Sequence, residues 1–303
     1  MLLKHKLSLR QIFYFTWKVD LMLLLCCTIV YFLDKYWLSM HISIPVAVSA
    51  VLGTAIAFFI GFNNNQAYDR WWEARIIWGG LVNDSRSWAR SLLHYNTPNG
   101  NPESKAIARH MIYRHLAFIY ALKSALRKRP EDDYYTRFLT REEIEEVQKQ
   151  SNIPNALLNL QSLDLQALSN AGTIDGFRFI ELNQLLVKHC DGMGKSERIK
   201  NTMFPPSYVY FTRLFIWFYV VMNTLMMTES IGAWAILFGW MFGFVFHVTH
   251  LNGITLMNPF EYTPLATPLD SISRTIEINI IELLGDEPVP LPVKPKADGL
   301  YIM

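Results

Sequence analysis

Residues 230–260 contain no Lys, Arg, Asp or Glu. A helix that crosses the roughly 30 Å hydrocarbon core of a bilayer needs about 20 mostly apolar residues, and this run supplies them at residues 231–252. Three other stretches do the same. Residues 19–38 are built on the uninterrupted apolar run 21–33, with Tyr36 and Trp37 placed to anchor at an interface. Residues 42–62 carry no charge at all, and residues 208–228 follow with Arg213 near their start. A soluble all-helical core is the alternative reading, but uncharged runs of this length are unusual there. The sequence therefore predicts an all-α membrane protein with four transmembrane helices.

The charge distribution agrees. Only 18% of the 303 residues are charged, against about 25% in soluble domains. Of the 54 charged residues, 19 basic and 16 acidic ones lie in residues 63–207, so the chain divides into apolar and water-facing parts. Lys4, Lys6, Arg10 and Lys18 precede the first span, whereas Lys35 alone sits in its connection to the second and the third-to-fourth connection has no basic residue. By the positive-inside rule, both termini and the large middle segment are expected on the cytoplasmic side of the cell (inner) membrane. No secretory signal is read at the N-terminus, because its apolar run lacks a small-residue cleavage site. Three cysteines exclude a disulfide scaffold, and a net charge of +2 offers nothing for nucleic acid.

The expected organisation is a cytoplasmic segment at 1–18, spans at 19–38 and 42–62, a helical domain at 63–207, spans at 208–228 and 231–252, a helical segment at 253–286 and a Pro-rich tail at 287–303. Within 63–207 one helix continues from the second span to about Leu93, and Pro98, Asn99 and Gly100 break it. Further helices are expected over 102–128, after the capping box Thr140–Glu143, over 155–171 and over 175–188. Glu142, Glu143, Glu145 and Glu146 read as a solvated face. Residues 271–284 are amphipathic and capped by Gly285, and Pro288, Pro290, Pro292 and Pro295 extend the tail.

The possible chemical motifs are weak. Gly194-Lys195-Ser196 imitates the end of a phosphate loop, yet His189 stands where its first glycine belongs. His247 and His250 suit a shared metal or haem, but two ligands lack an evident third. Cys190 lies between His189 and Asp191, and neighbours on a helix point in different directions. Nothing here assembles an enzyme or implies a cofactor.

The second span is more informative. Gly53, Ala57 and Gly61 recur every fourth residue, a small-residue stripe of the kind that lets helices approach closely in lipid. About 100° around the helix, Thr54, Phe58 and Phe62 form a second stripe that faces lipid, a packed core or a lumen. The amides Asn63, Asn64, Asn65 and Gln66 follow at the membrane edge, and wet donors and acceptors there suit an ion vestibule. Arg70 and Glu73 are spaced to pair at i, i+3.

Residues 59–75, Phe-Ile-Gly-Phe-Asn-Asn-Asn-Gln-Ala-Tyr-Asp-Arg-Trp-Trp-Glu-Ala-Arg, followed by Trp78-Gly79, resemble the signature of the bestrophin family in its bacterial branch. Glu197 to Thr202 with Pro205 and Tyr208, Asn258-Pro259-Phe260, residues 268–272, residues 275–277 and residues 282–285 agree in order. The resemblance implies a homopentameric channel around one central pore, with four membrane helices and a helical cytoplasmic domain per subunit, permeant small ions, the lipid bilayer as surroundings and a preference for anions such as chloride; a monovalent-cation channel is the alternative. It places the pore neck at Thr54, Phe58 and Phe62, the pore mouth at Asn63 to Gln66 and a cytoplasmic constriction at Phe177. Thr54 replaces the family's usual aliphatic residue, which is expected to make the outer neck easier to wet. Glu261 is the one carboxylate in a loop where animal members cluster several around Ca²⁺, so calcium gating is not expected.

Overall fold

The computed structural model describes residues 9–38, 45–95, 102–128, 133–296 and 301–303. The described residues are almost entirely helical: α1 (Leu9–Leu33), α2 (Val46–Tyr95), α3 (Pro102–Arg127), α4 (Arg141–Val147), α5 (Ile153–Asn170), α6 (Gly176–Asn201), α7 (Pro206–Ile231), α8 (Trp234–Met257) and α9 (Leu269–Leu284). The Pro98–Gly100 break and the first residues of the expected second span lie outside the described residues. Two compact units result. The apolar unit takes the stretch up to Trp71 with Met203–Asn258, and the polar unit takes Trp72–Thr202 with Pro259–Met303.

The apolar unit holds the four helices long and apolar enough to cross a membrane, and in their most apolar windows only 22–33% of residues are buried. That inverts a soluble core, where the apolar side would be hidden. Leu21, Leu25, Ile29, Phe218, Leu237 and Val245 all point outward. Inside, Leu23 and Cys27 of α1, Ile56 and Ile60 of α2, and Ile216 and Val220 of α7 form the shared core.

Close approach comes from α8 rather than from the expected stripe on α2. A Cβ at Gly239 would stand 2.3 Å from Thr224 Oγ1, and one at Gly243 would stand 2.8 Å from Val220 Cγ2. Of that stripe only Gly53 meets a neighbour, Tyr219, at 3.0 Å; Gly61 has nothing within 4 Å and Ala57 is exposed. Helices in lipid gain no hydrophobic drive toward one another, so glycine contacts of this kind carry much of the association.

In the polar unit α3 is central, buried almost without interruption from Met111 to Leu126. Its charged groups are paired across to neighbouring helices. Arg114 Nε donates to Glu143 Oε1 at 2.6 Å, Arg127 pairs with Asp270 at 2.6 Å, and Tyr120 donates to Glu277 at 2.5 Å. Glu143 therefore leaves the solvated face expected for the four glutamates: it is 8% exposed, whereas Glu142, Glu145 and Glu146 stay outside. It also closes the expected capping box, accepting from the Thr140 backbone N–H at 2.9 Å. α6 runs to Asn201, well past the expected stop near residue 188. Gly192 and Gly194 do not end it, and Gly192 is packed so tightly that a Cβ would meet Leu81 at 2.7 Å.

Two imidazoles sit in the same core. His115 and His189 are fully buried with ring centroids 4.3 Å apart, and His115 Nε2 lies 2.8 Å from Ser85 Oγ. Burial holds His189 down to about 3 and His115 well below the ordinary imidazole range. Burial works against the Glu143 charge, but hydrogen bonds from His110 and the Thr140 N–H, with the Arg114 charge, outweigh it and bring its carboxyl down to about 2.

All three groups bind protons more readily when unfolded, so each contributes stability that is lost on acidification. Melting of the purified protein is expected to fall below about pH 6.5, as unfolding lets the histidines charge, and to fall further below about pH 4.5, toward the low folded-state value of Glu143. Glu143→Gln should cost roughly 3 kcal/mol at neutral pH and flatten the lower limb of the curve. His189→Phe should flatten the upper limb.

Candidate ion pathway

Helix α2 has two opposite faces. Ser49, Ile56, Ile60, Asn63 and Ala67 are buried at spacings of three and four, with Gly53 between them against Tyr219. This face is anchored by polar contacts as well: Ser49 Oγ donates to Asn223 Oδ1 at 3.0 Å, and Asn63 Nδ2 donates to Thr212 Oγ1 at 3.2 Å. At 100° per residue, Thr54, Phe58 and Phe62 lie half a turn away. All three are exposed, Phe58 by 71% and Phe62 by 49%. The Thr54 hydroxyl donates to Ala50 O at 2.9 Å, so its proton serves its own helix and the methyl group remains for the surface. That offsets the wetting expected from this substitution.

The four amides part company. Asn63 is turned into the helix bundle, and Asn64 Nδ2 donates to Thr249 O on α8 at 3.0 Å. Gly253 of α8 makes room for the Asn64 amide, whose Oδ1 would be 2.0 Å from a Cβ at that position. Asn65 and Gln66 remain exposed, and Asn65 alone continues the Thr54–Phe62 face. Asn63 and Asn64 thus pack against α7 and α8 within the protomer. Four consecutive amides cannot form one patch on a helix, because successive residues point about 100° apart.

Phe177 belongs to the polar unit, in the first turn of α6, and is 87% exposed. Asp175 caps this turn by accepting from the Arg178 N–H at 2.9 Å. Ile180 and Val187 continue the same exposed apolar face, a spacing the sequence already contained.

The remaining motifs dissolve into structure. Ser196 is buried in α6 and donates to Gly192 O, so Gly194-Lys195-Ser196 is helix and not a phosphate loop. His189 is buried while Cys190 is exposed. His250 is buried in α8 and His247 is partly buried; among the described residues no group of three His, Cys, Asp or Glu side chains is placed to hold a metal. Glu73 pairs with Arg198 rather than with Arg70.

A family model described as bacterial/fungal bestrophin protein matches residues 11–282. The chain belongs to the bestrophin family. Among curated relatives, this bestrophin is 26% identical over 84% of its length, and 82% of the relative's, to a Nostoc protein named a voltage-dependent anion channel-forming protein. It is 28% identical to a Ralstonia nicotianae protein and 26% identical to an Escherichia coli K12 protein of the same description, each over 88% of this chain and 86% of the relative. A crystal structure of a bacterial bestrophin homologue from Klebsiella pneumoniae superposes with a TM-score of 0.82 at 24% identity, covering 89% of this chain and 98% of that one. These comparisons support an anion channel and give no support to the cation-channel or haem/metal alternatives.

The Asn64–Gly253 contact yields a coupled prediction. Gly253→Ala should lower the thermal stability of the detergent-solubilised protein by about 1–3 kcal/mol through overpacking. Asn64→Ala in the same chain should recover most of that loss, and a double-mutant cycle on the melting curves measures the coupling.

Proposed function

We propose that five copies of this chain surround one axis and form an anion-conducting channel, with Thr54, Phe58 and Phe62 lining its neck, Asn65 at the inner mouth and Phe177 at a second, cytoplasmic constriction. The observation that carries this reading is the exposed apolar face of α2, opposite the face that packs within the protomer. Such a face needs either lipid or a lumen. The amide Asn65 and the carboxylate Asp69 continue it, and polar groups on the same line favour water.

Chloride is the ion to test, given the names of the curated relatives. Rings of phenylalanine make a collar without charge, which controls conduction by wetting and dewetting. The edge of an aromatic ring is positive and its face negative, so edge-on rings favour a weakly hydrated anion. The distribution of Lys and Arg supports cytoplasmic termini and a cytoplasmic polar unit in the inner membrane. The membrane segments are assigned to residues 16–37, 206–231, 234–257 and the part of α2 that ends near Phe62.

The test is flux into liposomes holding purified protein under a KCl gradient. Wild type should give a reversal potential displaced from zero voltage toward the chloride equilibrium potential. Phe58→Ala and Phe62→Ala should each raise conductance several-fold by lowering the dewetting barrier. Unchanged conductance in both variants rejects the neck, and a potential near that of K⁺ rejects anion preference. Native mass spectrometry should return five subunits.

A further inference from the structure

We propose that Asp69 opposes the anion preference of this channel, as a ring of five carboxylates at the inner side of the neck. This inference rests on the neck reading given above and extends it by giving the Asp69 charge a role in ion selectivity. α2 is unbroken from Val46 to Tyr95, so positions along it are fixed by helix geometry. Asp69 is seven residues beyond Phe62, which is nearly two full turns. It therefore emerges on the same face as Phe58 and Phe62, about 10 Å further along the axis. Asn65 stands between them on that line, exposed like Asp69 itself.

The state of the carboxylate sets it apart from other acids of the same helix. Glu73 is held by Arg198, and Asp84 faces Lys188 at 3.9 Å. No described side chain pairs with Asp69, which leaves its charge acting on whatever occupies the space in front of it. Structural carboxylates in this protein are handled differently: Glu143, Asp270 and Glu277 are each matched to a cation or hydroxyl donor.

A ring of negative charge concentrates cations and repels anions over about one Debye length, which is about 8 Å at physiological ionic strength, 30 Å at 0.01 M and 3 Å at 1 M. At 1 M salt the ring is invisible from the neck, about 10 Å away. In dilute salt its field covers the neck completely. The uncharged aromatic collar and the carboxylate ring thus act in opposite senses, and ionic strength decides their balance. The anion-to-cation permeability ratio of wild type should fall as the solution is diluted, whereas a purely aromatic filter predicts a constant ratio.

The experiment measures reversal potentials of the purified channel in planar bilayers under fixed-ratio NaCl gradients, at mean concentrations near 0.01 M and near 1 M. In the dilute series Asp69→Asn should raise the anion-to-cation ratio by roughly threefold or more, and it should match wild type near 1 M. Asp69→Glu should restore the wild-type salt dependence, which a merely structural role for this side chain does not require. Asn65→Asp, adding a second ring one turn closer to the neck, should deepen the loss of anion preference in dilute salt. The proposal is overturned if conducting Asp69→Asn channels keep the wild-type ratio at both concentrations. If Asp69→Asn does not assemble, an Asn65→Asp channel with wild-type selectivity in dilute salt overturns it equally. Phe58→Ala is recorded in parallel: a changed conductance there with an unchanged ratio in Asp69→Asn rejects the carboxylate ring and leaves the neck standing, whereas no effect of either variant rejects both.

Discussion

A helix of 50 residues cannot be buried on all sides by a chain of this size, and how α2 divides its surface governs the rest of the molecule. Its inner face is committed by Ser49, Gly53 and Asn63 to α7 and by Asn64 to α8, with Ile56 and Ile60 in the core shared with α1 and α7. Because lipid is as apolar as leucine, these commitments are made with hydrogen bonds and close contacts rather than with apolar area. The opposite face is left with Thr54, Phe58 and Phe62 exposed. A protomer that satisfied this face internally would have nothing to present to a pore.

The two units solve the problem of charge differently. In the polar unit, buried ions are tolerated because each has a partner: Arg114 with Glu143, Arg127 with Asp270, Arg274 with Glu277. Removing one member would strand the other in a poorly solvated site, which costs far more than the pair contributes. The apolar unit has few ions to place and relies on glycine, threonine and asparagine. Gly239 and Gly253 on α8 make room for the Thr224 hydroxyl and the Asn64 amide, and Gly243 makes room for Val220 and Leu23.

In the proposed channel the neck is apolar while the chain around it is not. An uncharged collar selects weakly and gates by hydration, so selectivity is open to adjustment by charges some distance along the same helix. In the proposed channel Asp69 makes that adjustment from outside the neck.

Composition and hydrophobic patterning alone determined the four apolar helices, the helical character of the middle segment and the capping box at Thr140, because these depend on local periodicity and on bilayer thickness. The signature around residues 59–75 carried the family, and the stripe Thr54, Phe58, Phe62 was legible as a stripe. Its direction was not, since a periodic pattern gives the angle between two faces and never says which one meets a partner. Only the tertiary structure showed that Gly239 and Gly243, not Ala57 and Gly61, make the close contacts, and that Asn63 and Asn64 turn inward while Asn65 stays out. It likewise drew Glu143 from an apparently solvated run into the core, because Arg114 and His110 lie near in space and far in sequence. Those outcomes depend on which helices become neighbours, and that is decided by packing over the whole chain rather than by any residue's own surroundings.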